Sequence, residues 1–212
     1  MDSVRHWRGK LSIAISGTNG KTTTTALAGL IFEEADFDPT VVVGSVVKEW
    51  KSNARLGKKE VIIVEACEHK AHMLHLDPNV IILTNIEADH LDYYKDLEHI
   101  TKTFQEYVKK IPKHGWLIKN NDDPVSREKI TETKAQVKTY GIDYEADVMA
   151  KNMVSIGGKQ SFELWMQGKY VDDVELRIPG KINVYNALAA LTAAVVLGVE
   201  QQAIQTALQR FH

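Results

Sequence analysis

Lys21 and Thr22 stand directly behind the turn Gly17-Thr18-Asn19-Gly20, and that turn follows the apolar run Leu11 to Ile15. From Lys21 the chain passes through Thr23 into a helical pattern of Ala26, Leu27, Leu30 and Ile31. A buried strand, a glycine turn and a helix N-terminus together make an anion site. The first N–H groups of a helix lack internal partners, the helix dipole adds partial positive charge, and glycine admits phosphate close to the backbone. Lys21 adds a full charge, and the Thr22 hydroxyl suits a Mg²⁺ that travels with a triphosphate. The general pattern G-x-x-x-x-G-K-[ST] would set its first glycine at Ile15, whereas this loop is G-x-x-G-K-T, two residues tighter. Residues Gly17 to Thr23 read as a nucleotide-phosphate site.

Two other places carry groups of the right chemistry. Glu65 directly follows the apolar run Val61 to Val64, where a strand-end carboxylate reaches a nucleotide-bound metal. Asp89 and His90 follow the run Val80 to Leu83 through Thr84-Asn85-Ile86-Glu87-Ala88. Imidazole is an uncommon Mg²⁺ ligand, so spacing alone does not settle the role of His90. Glu68 is expected to orient a neighbour, and Cys67 to be a small buried thiol. His69, His72, His75, His99 and His114 are read as ordinary surface or core residues.

The elements that must position these groups follow from the patterning. Apolar runs at 11–15, 40–43, 61–64, 80–83, 115–118 and 137–140 read as strands, with Gly44 closing the second and Gly141 the sixth. Helical patterns lie between them, including Leu97 to Ile111 ahead of Pro112 and a short helix opened by Asp123-Pro124. A short helix is expected over Lys70 to Leu76, and a polar surface loop over Lys48 to Lys59. Alternation of this kind predicts a P-loop, doubly wound, mostly parallel α/β sheet with helices on both faces. Strand-like runs at 148–156, 161–167 and 171–178, parted by Gly157-Gly158 and Gly168-Lys169, predict a small antiparallel hairpin region near 147–178. Asn183 is expected to cap a helix reaching about Leu197, and 200–211 forms a last helix.

A net charge of −2 offers no general attraction to nucleic acid or to a membrane surface. The single cysteine excludes an internal disulfide framework and fits a reducing compartment, so cytoplasm is the expectation. The residues around Trp7, with Arg5, Arg8 and Lys10, lack a signal-peptide core. The abrupt finish at Arg210-Phe211-His212 suggests one domain of a longer protein.

Gly17 to Thr23, Glu65 to Glu68, Thr84 to His90 and Gly180 to Ala187 occur in the order of the motifs of the Mur ligase family, which the chain resembles over nearly its whole length. That family has an N-terminal UDP-sugar domain, a central ATPase and a C-terminal amino-acid domain; residues 1–212 resemble the central one alone. The resemblance implies ATP and Mg²⁺ as cofactors. It places Lys21 on the phosphates within the loop Gly17, Thr18, Asn19, Gly20, Thr22 and Thr23. Thr22 and Glu65 are then ligands of one Mg²⁺, and His90 serves a second. Lys21, Glu65 and His90 are the catalytic set it implies, while Asn183 and Asn186 fall near the ATP base. The wording of Thr84 to Tyr94 is most similar to the branch joining L-alanine to UDP-N-acetylmuramate through an acyl phosphate. UDP-N-acetylmuramate and L-alanine would then be held by domains outside this chain, which alone is expected to form no amide.

Two positions depart from the family pattern. Ile182 stands where relatives often have histidine, which puts one adenine contact in doubt. Gln105 stands where some relatives carry a carbamylated lysine, as fits the alanine-adding branch. Other readings remain open: a muropeptide-recycling ligase, a folylpolyglutamate-type ligase, or a nucleotide-binding module without ligase activity. A guanine-reading switch is disfavoured, because no Asn-Lys-x-Asp occurs.

Overall fold

The strand that runs into the glycine turn is buried along nearly its whole length: Leu11, Ile13, Ala14, Ile15 and Ser16 are all shielded from solvent. The structure, a computed structural model, describes residues 11–212; the basic stretch around Trp7 lies outside them. Strands β1 (Leu11–Ser16), β2 (Thr40–Val47), β4 (Val61–Glu65), β5 (Val80–Leu83), β6 (Trp116–Asn120) and β7 (Gln136–Gly141) form the parallel part of the sheet. With β3 (Ser52–Arg55), β8 (Val148–Ile156), β9 (Lys159–Met166) and β10 (Lys169–Leu176) it is a single 10-stranded sheet. Its order is β10-β9-β8-β7-β6-β5-β1-β4-β2-β3. Side chains alternate between the faces with a period of two. Ile13 and Ile15 of β1, with Val80 and Ile82 of β5, join a core that includes α1 (Lys21–Glu34), α4 (Lys181–Val196) and α5 (Gln201–Arg210). Ala14, Ile81 and Leu83 face the other core, with Ile100, Phe104, Tyr107 and Val108 of α2 (Leu97–Lys109). Helices cover both faces, as the patterning requires. The short α3 (Pro124–Lys129) is capped by Asp123, whose side chain accepts from the Ser126 N–H at 2.7 Å.

The order places the centre of action. β1 lies between β4 and β5, so the chain crosses from one side of β1 to the other between residues 65 and 80. In parallel sheets the crevice at such a crossing, beyond the carboxyl ends of the strands, takes ligands. The ends of β1, β4 and β5 are Ser16, Glu65 and Leu83.

Several expectations need correction. Gly44 does not close β2, which runs on to Val47. Ser52–Arg55, expected within a loop, is edge strand β3, antiparallel to β2. Its polar sequence hides the pairing, which Arg55 anchors through Asp38 at 2.7 Å and Pro39 O at 2.7 Å. The segment His69–His75 is a 3₁₀ turn interrupted by left-handed Lys70 and Ala71 rather than a regular helix. Asn183 is not a cap: α4 begins at Lys181 behind Gly180 (φ 99°), and Asn183 lies inside its first turn, donating to Pro179 O at 2.8 Å. The hairpin strands are antiparallel as expected, but they extend the main sheet, because β8 joins β7 in parallel.

Candidate functional site

The loop Gly17–Gly20 is shaped by two glycines and held by the segment after β5. Gly17 has φ +133°, and a β-carbon there would stand 2.1 Å from Thr84 Oγ1 and 2.8 Å from Asn85 O. Gly20 has φ +82° and is the N-cap of α1; its β-carbon would stand 2.4 Å from Asn186 Oδ1. Only glycine meets both conditions without strain. Thr18 N–H donates to Asn85 O at 2.9 Å, and Asn19 N–H to Asn85 Oδ1 at 2.9 Å. Asn85 Nδ2 returns a bond to Asn19 O at 3.1 Å, and the Thr84 hydroxyl donates to the same carbonyl at 2.7 Å. Glu87 N–H donates to Thr18 Oγ1 at 2.9 Å. With Thr18 and Asn19 engaged in this way, the donors free for an anion are those that helix geometry leaves at the head of α1, around Gly20 to Thr23.

Lys21 lies inside the loop it follows. Its ammonium donates to Gly17 O at 2.6 Å, Thr18 O at 2.9 Å and Glu68 Oε1 at 3.0 Å. On one side of it the Thr22 hydroxyl donates to Glu65 Oε1 at 3.1 Å, while Gly44 N–H donates to Glu65 Oε2 at 2.7 Å. Gly44 is therefore a place of close approach, since a β-carbon would meet both Glu65 oxygens at 2.9 and 3.0 Å. Thr23, beside Thr22, lines a small cleft together with Ser45 and Val46 of β2 and Lys48 just beyond it.

On the other side is a second group. His90 Nε2 lies 3.5 Å from Glu68 Oε1 and 4.0 Å from Asp89 Oδ2. His90 has φ 51°, and its carbonyl accepts from the Tyr93 and Tyr94 N–H groups at 2.9 Å each. Tyr94 is fully buried and donates its hydroxyl to Glu68 O at 2.5 Å, so the His90 turn and Glu68 are held together. Burial raises the Tyr94 pKa to about 12, which keeps that donor protonated. His69, read from sequence as ordinary, stacks on His90 with ring centroids 4.5 Å apart and pairs with Asp92 at 3.2 Å. His72, His75 and His114 are exposed.

Glu68 is the residue that sequence reasoning undervalued. Its side chain is 0% exposed, it faces both Lys21 and His90, and its Oε2 has no hydrogen-bond partner. The spacing in Glu65-Ala66-Cys67-Glu68 held part of the signal, because Ala66 and Glu68 turn inward and send Cys67 out. Cys67 is exposed, which overturns the buried-thiol expectation.

The site residues thus form two neighbouring donor sets flanking Lys21. Thr22 with Glu65 is one; Glu68, Asp89 and His90 are the other, their ligand atoms within 4.8 Å of one another. Glu65 belongs to neither of the three-residue groups found among the described residues. Hydroxyl and carboxylate oxygens suit Mg²⁺, and an orphaned buried carboxylate oxygen fits a cation better than it fits an empty interior.

Asn186 is brought to this site and Asn183 lies beside it. Asn186 is 4% exposed, accepts from the Thr24 hydroxyl at 3.3 Å and donates to Asn183 Oδ1 at 3.2 Å. Ile182 is exposed. The first turn of α4 is tied down by Asp122, which sequence reasoning passed over. Its carboxylate accepts from the Ile142, Asp143 and Tyr144 N–H groups at 2.6, 2.9 and 2.7 Å and from the Tyr185 hydroxyl at 2.7 Å. Burial alone would raise its pKa, but these four donors outweigh it and hold the carboxyl below the usual range. Gln105 bonds to the backbone of Thr131 and Glu132, at 2.6 Å to Glu132 O and 3.1 Å from Thr131 N.

Fold and site define a parallel α/β domain built around a strand–glycine loop–helix with acidic groups at the adjoining strand ends. The family model described as Mur ligase middle domain matches residues 15–194. The chain belongs to the Mur ligase family and comprises its middle domain. A UDP-N-acetylmuramate–L-alanine ligase of Alkaliphilus metalliredigens is 42% identical over 201 residues, 94% of this chain and 44% of that protein. The chain therefore spans less than half the length of that relative. Among solved structures, a UDP-N-acetylmuramate:L-alanyl-γ-D-glutamyl-meso-diaminopimelate ligase of Neisseria meningitides superposes with a TM-score of 0.86 at 25% identity. That match covers 100% of this chain and 69% of the other. A UDP-N-acetylmuramate-alanine ligase of Thermotoga maritima gives 0.83 at 24% identity, covering 99% and 46%, which shows the same fold. Among the described residues, no helix is long and apolar enough to cross a membrane.

Proposed function

We propose that this chain is the ATP-binding centre of an ATP-dependent ligase that joins L-alanine to UDP-N-acetylmuramate in peptidoglycan precursor synthesis. The observation that carries the reading is the convergence of Lys21, Thr22–Glu65 and Glu68–His90 at the ends of β1, β4 and β5. The 42% identity to an enzyme of that name points to the amino acid and the sugar. UDP-N-acetylmuramate and L-alanine would be bound by N-terminal and C-terminal domains outside this chain, and the reaction belongs in the cytoplasm.

A carboxylate is a poor electrophile, and phosphorylation by ATP gives it a leaving group. The work of the site is then positioning and charge neutralisation. Lys21 and the N–H groups at the head of α1 bind the phosphates, with Gly17 and Gly20 allowing the approach and Thr84 and Asn85 fixing the loop. Asn183 and Asn186 border the nucleotide from α4. Bound Mg²⁺, held by Thr22 and Glu65 and by His90 with Glu68, would supply charge neutralisation on the phosphate oxygens. No side chain is needed as a covalent nucleophile.

The test is ADP release by the full-length enzyme that contains this domain, supplied with UDP-N-acetylmuramate and single amino acids. The reading expects turnover with L-alanine. Turnover only with the tripeptide L-alanyl-γ-D-glutamyl-meso-diaminopimelate would replace it with the recycling reading, which the 0.86 structural match favours. The 212-residue chain by itself is expected to bind Mg·ATP without forming amide.

A further inference from the structure

Glu68 presents a problem that the phosphate loop alone does not explain. A fully buried carboxylate keeps its charge only against a partner, and an unmet oxygen adds a desolvation penalty. Glu68 has one strong partner, Lys21 at 3.0 Å, a weaker contact with His90 at 3.5 Å, and an orphaned Oε2. Lys21 has the complementary difficulty. An ammonium has three donors, and Gly17 O, Thr18 O and Glu68 Oε1 take all of them at 2.6, 2.9 and 3.0 Å. A phosphate reaching Lys21 must displace one of these acceptors. If a carbonyl is released, the phosphate shares a single ammonium with the buried carboxylate; if Glu68 is released, that carboxylate is left beside the phosphate without its cation. Like charges so placed repel strongly in a medium of low dielectric. Relief comes from a cation on the orphaned oxygen, where Asp89 and His90 supply the remaining donors.

We propose that Glu68 is a positioning residue that holds Lys21 in a nucleotide-free rest position and makes phosphate binding at Lys21 depend on a divalent cation reaching Glu68. Rest state and loaded state differ in which cation neutralises Glu68: Lys21 alone in the first, a metal in the second. Nucleotide and metal therefore bind with positive coupling, and Glu68 is the group through which they are coupled. The inference rests on the nucleotide-site reading above and goes beyond it, because a mere phosphate loop would need no internal competitor for its lysine.

The experiment is calorimetric titration of ADP into the 212-residue protein, in EDTA and in Mg²⁺, for wild type, Glu68→Gln and Glu68→Ala. Coupling between linked sites spans roughly 5- to 150-fold. Wild type should show a Mg²⁺ enhancement of ADP affinity within that range. Glu68→Gln should bind ADP at least about fivefold more tightly than wild type in EDTA and lose most of the enhancement. Glu68→Ala should move in the same direction. Structural damage would instead weaken metal-free binding, so tighter binding separates the two accounts. A second measurement needs no variant: the Lys21 ε-methylene NMR signal of ¹³C-lysine-labelled protein should stay at its free position in ADP with EDTA and shift once Mg²⁺ is added. An unchanged Mg²⁺ enhancement in Glu68→Gln, or a Lys21 signal that shifts equally without metal, overturns the coupling while leaving the nucleotide site standing. No ADP binding by wild type with Mg²⁺ overturns both.

Discussion

Asn186 of α4 occupies the space that any side chain at Gly20 would need: a β-carbon on Gly20 would stand 2.4 Å from Asn186 Oδ1. Two elements far apart in sequence thus meet at the head of α1, with Thr24 also donating to Asn186 at 3.3 Å. Gly20→Ala combines a left-handed φ of +82° with that collision. It should cost about 1–3 kcal/mol of stability, read from urea unfolding, and weaken nucleotide binding more than a surface Gly157→Ala does.

Gly44 and Glu65 give the opposite case. The β-carbon of Gly44→Ala meets only the movable end of Glu65, at 2.9 Å. The fold should hold within about 0.5 kcal/mol, while Mg²⁺-dependent nucleotide affinity falls roughly tenfold, a loss of about 1.4 kcal/mol. Calorimetry with Mg·ADP beside a thermal melt checks the separation; equal loss in both would contradict it.

Much of this site was legible in the sequence, and what escaped has identifiable physical causes. Lys21 and Thr22 could be read because strand, glycine turn and helix head are contiguous, and Glu65 because it ends an apolar run. The burial of Glu68 could not be read, since the groups that meet it, Lys21, His90 and the Tyr94 hydroxyl, come from separate stretches of chain. Gly44 looked like a strand terminator because glycine's need for close approach shows only once Glu65 is in place. Polar Ser52–Arg55 became a strand through pairing with β2, without an apolar alternation to announce it. Asn183 looked like a cap by residue type, yet Gly180 holds that position.

Asp122 should govern the acid sensitivity of the α4 end of the site. Its folded-state pKa is depressed, despite burial, by four donors. Its contribution is therefore full above the unfolded carboxylate value of about 3.9 and is lost as pH falls through the lower folded value. Asp122→Ala strands three backbone N–H groups and the Tyr185 hydroxyl and should cost on the order of 2–4 kcal/mol at pH 7. The gap to wild type should shrink as unfolding is measured from pH 5 toward pH 2. A gap constant across that window would show that Asp122 acts by shape rather than charge.

Lys21 as a phosphate ligand is tested by calorimetry of Mg·ATP against wild type and Lys21→Met, with circular dichroism confirming that both are folded. Binding by wild type and at least a tenfold weakening in the variant, about 1.4 kcal/mol, are predicted. Equal affinity in the two proteins would contradict the assignment of the site.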